Sequence, residues 1–141
     1  MGAIRMTHIE IPLQDGKHLT VVHFPRHLSG EEGATVLRGL EKFAKRGIEF
    51  EFFWGDQAFV GPRKNVPARL VEDGNGVFTE VRKQLIAGLD AFHIPYSNDY
   101  SGYLMHVTNA TPGVIPWKLV PHRPMFVLSQ KPHRIEVPFG G

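Results

Sequence analysis

Eleven prolines and fifteen glycines are spread along this 141-residue chain and cut it into short segments. Proline fixes φ and withholds a backbone donor, and glycine ends regular structure cheaply. A chain so punctuated must turn often, which excludes a bundle of long helices. Between the breaks the hydrophobic residues follow two periods. "IRMTHIEI" and "KHLTVVHF" read as strands joined by the turn "QDGK", the first ending near Pro12 and the second closed by Pro25. "IEFEFFW" alternates, with Ile48, Phe50, Phe52 and Trp54 on one face and Glu49 and Glu51 on the other. "AFVG" and "VPARLVE" read as strands around the loop "GPRKN", and the last thirty residues as two or three proline-punctuated strands.

Two segments carry a helical period instead. In "SGEEGATVLRGLEKFAKRG", Ser29 and Glu32 form a capping box and Val36, Leu37, Leu40, Phe43 and Ala44 an apolar stripe. Gly47 supplies the stop. The second helix is expected over Val77 to Phe92, with Val81, Leu85, Ile86 and Leu89 inward. No low-complexity tract or linker divides the chain, so residues 1–141 are read as a single α+β domain. A helix and an H-x-T strand fall in each half, which suggests a loose internal duplication.

The chemistry-bearing feature is that repeated tripeptide. His18-Leu19-Thr20 recurs as His106-Val107-Thr108, each on an expected strand. Residues two apart on a strand project from one face, so each histidine shares a face with its threonine. Breaking a phosphodiester in line requires a base at the attacking oxygen and an acid at the leaving oxygen. Histidine serves either role near neutral pH. Threonine hydroxyls beside the imidazoles can hold the non-bridging oxygens, where negative charge accumulates.

In these residues the chain resembles the 2H phosphoesterases, which carry two H-h-[ST]-h motifs in a bilobal, pseudo-symmetric α+β fold. The first motif is followed by apolar β residues and a helix, as "HLTVVHF" is followed by "SGEEGATVLRGLEKFAKRG". The second follows a helix and a tyrosine-rich loop, as "HVTNA" follows "VRKQLIAGLDAFHIPYSNDYSGYLM". The central "AFVGPRKNVPARLVE" also looks like the family's strand pair before its second helix, so the resemblance spans roughly residues 1 to 128. One departure is Asn109, where an apolar residue is usual. The resemblance implies two antiparallel sheets flanking a central cleft, His18 and His106 as acid and base, Thr20 and Thr108 as phosphate ligands, and neither cofactor nor metal. It implies substrates among 2′,3′-cyclic phosphates, 2′–5′ linked RNA and small cyclic nucleotides. Some short phage-encoded members degrade the cyclic oligonucleotide messengers of bacterial CBASS defence, and this chain, read as short and without an appended domain, resembles that subgroup.

The resulting expectation is a metal-independent phosphodiesterase acting on cyclic oligonucleotides or 2′,3′-cyclic nucleotide phosphates. Two alternatives stay open: an RNA-end enzyme of the 2′–5′ ligase or cyclic phosphodiesterase type, and a cyclic-nucleotide sponge without turnover. Arg63, Lys64, Tyr103 and Trp117 are candidate substrate contacts, the tyrosines Tyr96, Tyr100 and Tyr103 as stacking platforms. A metal cluster of His18, His23 and His27 is rejected. Five positions separate His18 from His23, which places them on opposite strand faces, and His27 lies beyond Pro25. His8, His93, His122 and His133 have no evident partners.

Composition adds exclusions. Without cysteine the chain has no disulfide, thiolate metal site or cysteine nucleophile. The net charge of +2 is too small and scattered for a duplex-DNA surface. "MGAIRMTHIEIP" lacks a signal-peptide core and no apolar run approaches a membrane span, so the expected location is cytoplasmic, in the host cell if the chain is phage-encoded.

Overall fold

The computed structural model describes residues 7–13, 16–61, 63–97, 105–108, 118–119 and 125–140. Among these residues the architecture is α+β, with two antiparallel four-stranded sheets and two helices. Its elements are β1 (Thr7–Pro12), β2 (His18–Phe24), α1 (Gly30–Lys45), β3 (Phe52–Val60), β4 (Val66–Asp73), α2 (Val77–Ala91), β5 (His106–Thr108), β6 (Lys118–Leu119), β7 (Met125–Gln130) and β8 (His133–Pro138). The first sheet runs β2-β1-β7-β8 and the second β5-β4-β3-β6. The N-terminal hairpin is therefore completed by the C-terminal one, while the second sheet comes from the middle of the chain.

Helix α1 starts as its sequence requires. The Ser29 Oγ accepts from the Glu32 backbone N–H at 3.1 Å, and Glu32 Oε1 accepts from the Ser29 N–H at 2.9 Å. Arg26 clamps the same carboxylate with two bonds of 2.7 and 2.8 Å, fixing the chain's entry into the helix. The helix buries Val36, Leu40, Phe43 and Ala44. Helix α2 begins after Gly76 in the left-handed conformation and has no side-chain N-cap. Instead Asp73 Oδ2 accepts from the Thr79 backbone N–H and hydroxyl, and Phe78, Val81, Leu85 and Leu89 face the core.

Ile48 to Glu51 alternate but are not strand. Their carbonyls are used elsewhere: Glu49 accepts from Asn75 Nδ2 and Glu51 from the Gly74 N–H. β3 begins at Phe52, where β4 and β6 both supply partners, and runs on to Val60 through a shift of register between Trp54 and Gln57. "FFW" and "AFV" thus belong to one strand.

One apolar cluster joins the sheets. Phe126 of β7 and Phe52 of β3 meet through Phe50, with ring centroids 6.4 and 5.4 Å away, and Phe78 and Phe139 close the group edge-on. No helix among the described residues is long and apolar enough to cross a membrane.

Candidate active site

The N-terminal hairpin sets the face on which the first motif lies. β1 pairs with β2 so that His8 stands opposite His23, Glu10 opposite Thr20 and Pro12 opposite His18. Between Ile9 and Glu10 the register skips one residue of β2, leaving Val21 without an opposite number. That bulge reverses the strand's parity. Leu19, Val21, Val22 and Phe24 are all buried, while His18, Thr20 and His23 share the other face. The expectation that His23 points away from His18 is therefore corrected. Counting by twos fails across a bulge, and the His8 ring stands 5.5 Å from that of His18 and 5.8 Å from that of His23. His27, by contrast, is exposed beyond Pro25, outside this group.

Beneath the imidazoles lies a carboxylate. Glu10 is 5% exposed, in a strand flanked on both sides by others. Its Oε1 is 2.7 Å from His8 Nε2, and its Oε2 accepts from Arg134 Nη1 of β8 at 3.2 Å. Burial alone would raise its pKa. The hydrogen bond with His8 and the charges of His18, His8 and Arg134 outweigh that and hold it below the usual 4.5. His18 shifts down from 6.5, first because the surrounding protein desolvates it, with the charges of His8 and Arg134 adding to the effect and Glu10 opposing it. A lowered pKa leaves its imidazole neutral near pH 7, the form that accepts a proton.

The second motif occupies β5, the edge strand of the other sheet. It pairs with β4 through His106 opposite Leu70, Val107 opposite Arg69 and Thr108 opposite Ala68. Val107 is 1% exposed and turned to the core, which puts His106 and Thr108 together on the reverse face. β2 and β5, the edge strands of their respective sheets among the described residues, approach each other to within 8 Å between Cα atoms. Two hydrogen bonds tie the region together: Arg82 of α2 donates to the Val21 carbonyl at 2.9 Å, and the Ser97 N–H donates to the His23 carbonyl at 2.8 Å. The bulged residue is thus held from behind by a helix.

The remaining candidates separate. Arg63 and Lys64 are exposed in the turn between β3 and β4, beyond the Thr108 end of the second sheet, and Lys64 takes a positive φ of 50°. Tyr96 is partly buried against the core. Tyr100, Tyr103, Asn109 and Trp117 lie outside the described residues. Trp54 packs on the core.

His8 and Glu10 lie outside the two H-x-T motifs. The spacing that drew attention to H-x-T is also present in His8-Ile9-Glu10, on the strand that the turn "QDGK" must pair with β2. Among the described residues, the donor atoms that converge closely enough to hold a cation are those of His8, Glu10 and His18, all within 4.8 Å of one another. No protein-family model matches this chain, and no curated protein matches it.

Proposed function

We propose that this protein is a metal-independent phosphodiesterase of the 2H type, with His18 and His106 as its proton carriers. The observation that supports it is the meeting of two edge strands, one from each sheet, each carrying a histidine and a threonine on the face turned from the core. In this reading the two sheets are the lobes of a pseudo-symmetric fold, and the substrate phosphate binds where β2 and β5 approach.

His18, neutral near pH 7, removes the proton from the attacking hydroxyl. For a cyclic oligonucleotide that hydroxyl is the substrate's own 2′-OH. Its oxygen bonds to phosphorus as the bond to the 5′-oxygen breaks, and His106 gives the departing oxygen a proton. The 2′,3′-cyclic phosphate so formed is opened by water with the two histidines exchanging roles. Thr20 and Thr108 hold the non-bridging oxygens. Arg63 and Lys64 extend from the hairpin toward more distant phosphates of the same substrate. The reading places the protein in the cytoplasm.

The test incubates the protein in EDTA with cyclic di- and trinucleotides, 2′,3′-cyclic mononucleotides and 2′–5′ oligomers, and separates the products by chromatography. Turnover in EDTA, reduced at least about 100-fold by His18→Ala and by His106→Ala, is expected for loss of an acid or base. Undiminished turnover in either folded variant would refute the assignment. Tight binding of a cyclic nucleotide without product would show sequestration instead.

A further inference from the structure

We infer that His8, Glu10 and His18 form a binding site for a divalent first-row transition ion of the Zn²⁺ class, seated on the same histidine that the proposed reaction uses. The three residues come from two paired strands, and their donor atoms lie within 4.8 Å of one another. Two imidazoles and one carboxylate are a donor set that Zn²⁺ and its neighbours accept, leaving further positions open for water or a phosphate oxygen.

The geometry lies close to what such an ion needs. With bonds of about 2.0–2.1 Å, tetrahedral ligand atoms stand about 3.3 Å apart. His8 Nε2 and Glu10 Oε1, now 2.7 Å apart, must separate by about 0.6 Å. The widest pair must close by about 1.5 Å at most. The adjustment required is a turn of the His18 ring, which stands at the exposed first position of β2 and is stacked 5.5 Å from the His8 ring. Arg134 holds the other oxygen of Glu10 at 3.2 Å, the kind of outer contact that orients a ligating carboxylate. His8 Nδ1 is buried without a hydrogen-bond partner among the described residues, so nothing seen there ties the ring's other edge. Three imidazoles on one face over a buried carboxylate make an arrangement that core packing alone does not call for.

The metal site rests on this cluster alone. Its consequence rests on the proposed function: an imidazole whose lone pair is given to a metal cannot take a proton. Zn²⁺ would therefore switch the phosphodiesterase off, and a chelator would restore it.

The experiment titrates EDTA-stripped, dialysed protein with ZnCl₂ by calorimetry in a non-coordinating buffer, and with CoCl₂ by visible absorption. One ion per chain is expected, with d–d bands of a four- or five-coordinate Co²⁺ complex. His8→Ala, Glu10→Gln and His18→Ala should each weaken binding by at least about tenfold, while His27→Ala should not. Circular dichroism checks that each variant is folded, and His18→Ala, at an exposed strand end, keeps the test decisive if Glu10→Gln does not fold. Absence of one-to-one binding, or binding indifferent to His18→Ala, would overturn the site. On any substrate that the EDTA-treated protein turns over, one equivalent of Zn²⁺ should abolish turnover and EDTA should restore it. Unchanged turnover with Zn²⁺ bound would overturn the inhibition. A protein that binds Zn²⁺ through these residues but turns over nothing would leave the site standing and refute the proposed activity.

Discussion

Replacing Glu10 with glutamine tests whether the carboxylate under the imidazoles stabilises the fold or burdens it. The substitution keeps shape and removes charge. The carboxylate is 7% exposed at its side chain and makes two charge-assisted contacts, with His8 at 2.7 Å and Arg134 at 3.2 Å. Such bonds contribute about 1.5–3 kcal/mol against about 0.5–1.5 for neutral ones, so each loses about 1 kcal/mol of charge assistance. Arg134 is about half exposed, which discounts its share. The expected loss at pH 7 is thus about 1–2 kcal/mol, or about 3–8 °C in Tm for a chain of this size. The sign follows from the pKa. Glu10 sits below 4.5 in the folded protein, so its ionised form contributes stability above pH 4.5 that is lost as pH falls through the folded value. Urea unfolding of both proteins at pH 7 and at pH 4 should show the gap narrowing in acid. Equal stability at pH 7, or a more stable Glu10→Gln, would show that the cost of burial matches or exceeds the attraction and refute the reasoning.

Three further outcomes follow from other parts of the fold. Gln130→Ala should cost about 1–3 kcal/mol with an unchanged urea m value, because Gln130 Oε1 accepts from the Leu28 N–H at 2.7 Å and from the hydroxyl of buried Thr7 at 3.1 Å. Gly74→Ala should cost about 1–3 kcal/mol, since a Cβ there overlaps the Phe53 ring and presses on Glu51 Cγ, and the larger part of the penalty should disappear in a Phe53→Ala background. The Glu32 carboxyl should titrate at about 2 by carbon-detected NMR rather than near 4.5, held down first by Arg26 and then by the Ser29 N–H. The folded value is the depressed one, so this clamp is complete above pH 4.5 and is lost as pH falls toward 2. A midpoint near 4.5 would show that the clamp does not form in solution.

What was legible in the sequence was what neighbours in the chain decide. The capping box of α1, the ends of β2 and the inward faces of both helices depend on residues a few positions apart, and they stand where the periods placed them. β3 was misjudged because Glu49 and Glu51 spend their carbonyls on Asn75 and Gly74, about 25 residues away. The burial of Glu10 was hidden for the same reason. A glutamate in an alternating strand reads as solvent-facing until Arg134, 124 positions later, is laid beside it. The two H-x-T pairs were visible as residues, but their approach is a matter of how the two sheets meet. His23 was lost to a single unpaired valine.

That valine gives β2 an unusual tolerance. In an unbroken strand, adding or removing one residue inverts every side chain beyond the change. Here the surplus residue is already present. Removing Val21 would leave His-Leu-Thr-Val-His-Phe, a plain alternation that still sends Leu19, Val22 and Phe24 inward and His18, Thr20 and His23 outward. What such a deletion takes away is a buried side chain and the carbonyl that Arg82 holds at 2.9 Å, and the path to Pro25 shortens by about 3.3 Å. The bulge is a fastening rather than a reorientation: the one extra residue ties β2 to α2 and leaves the direction of every other side chain as plain alternation would set it.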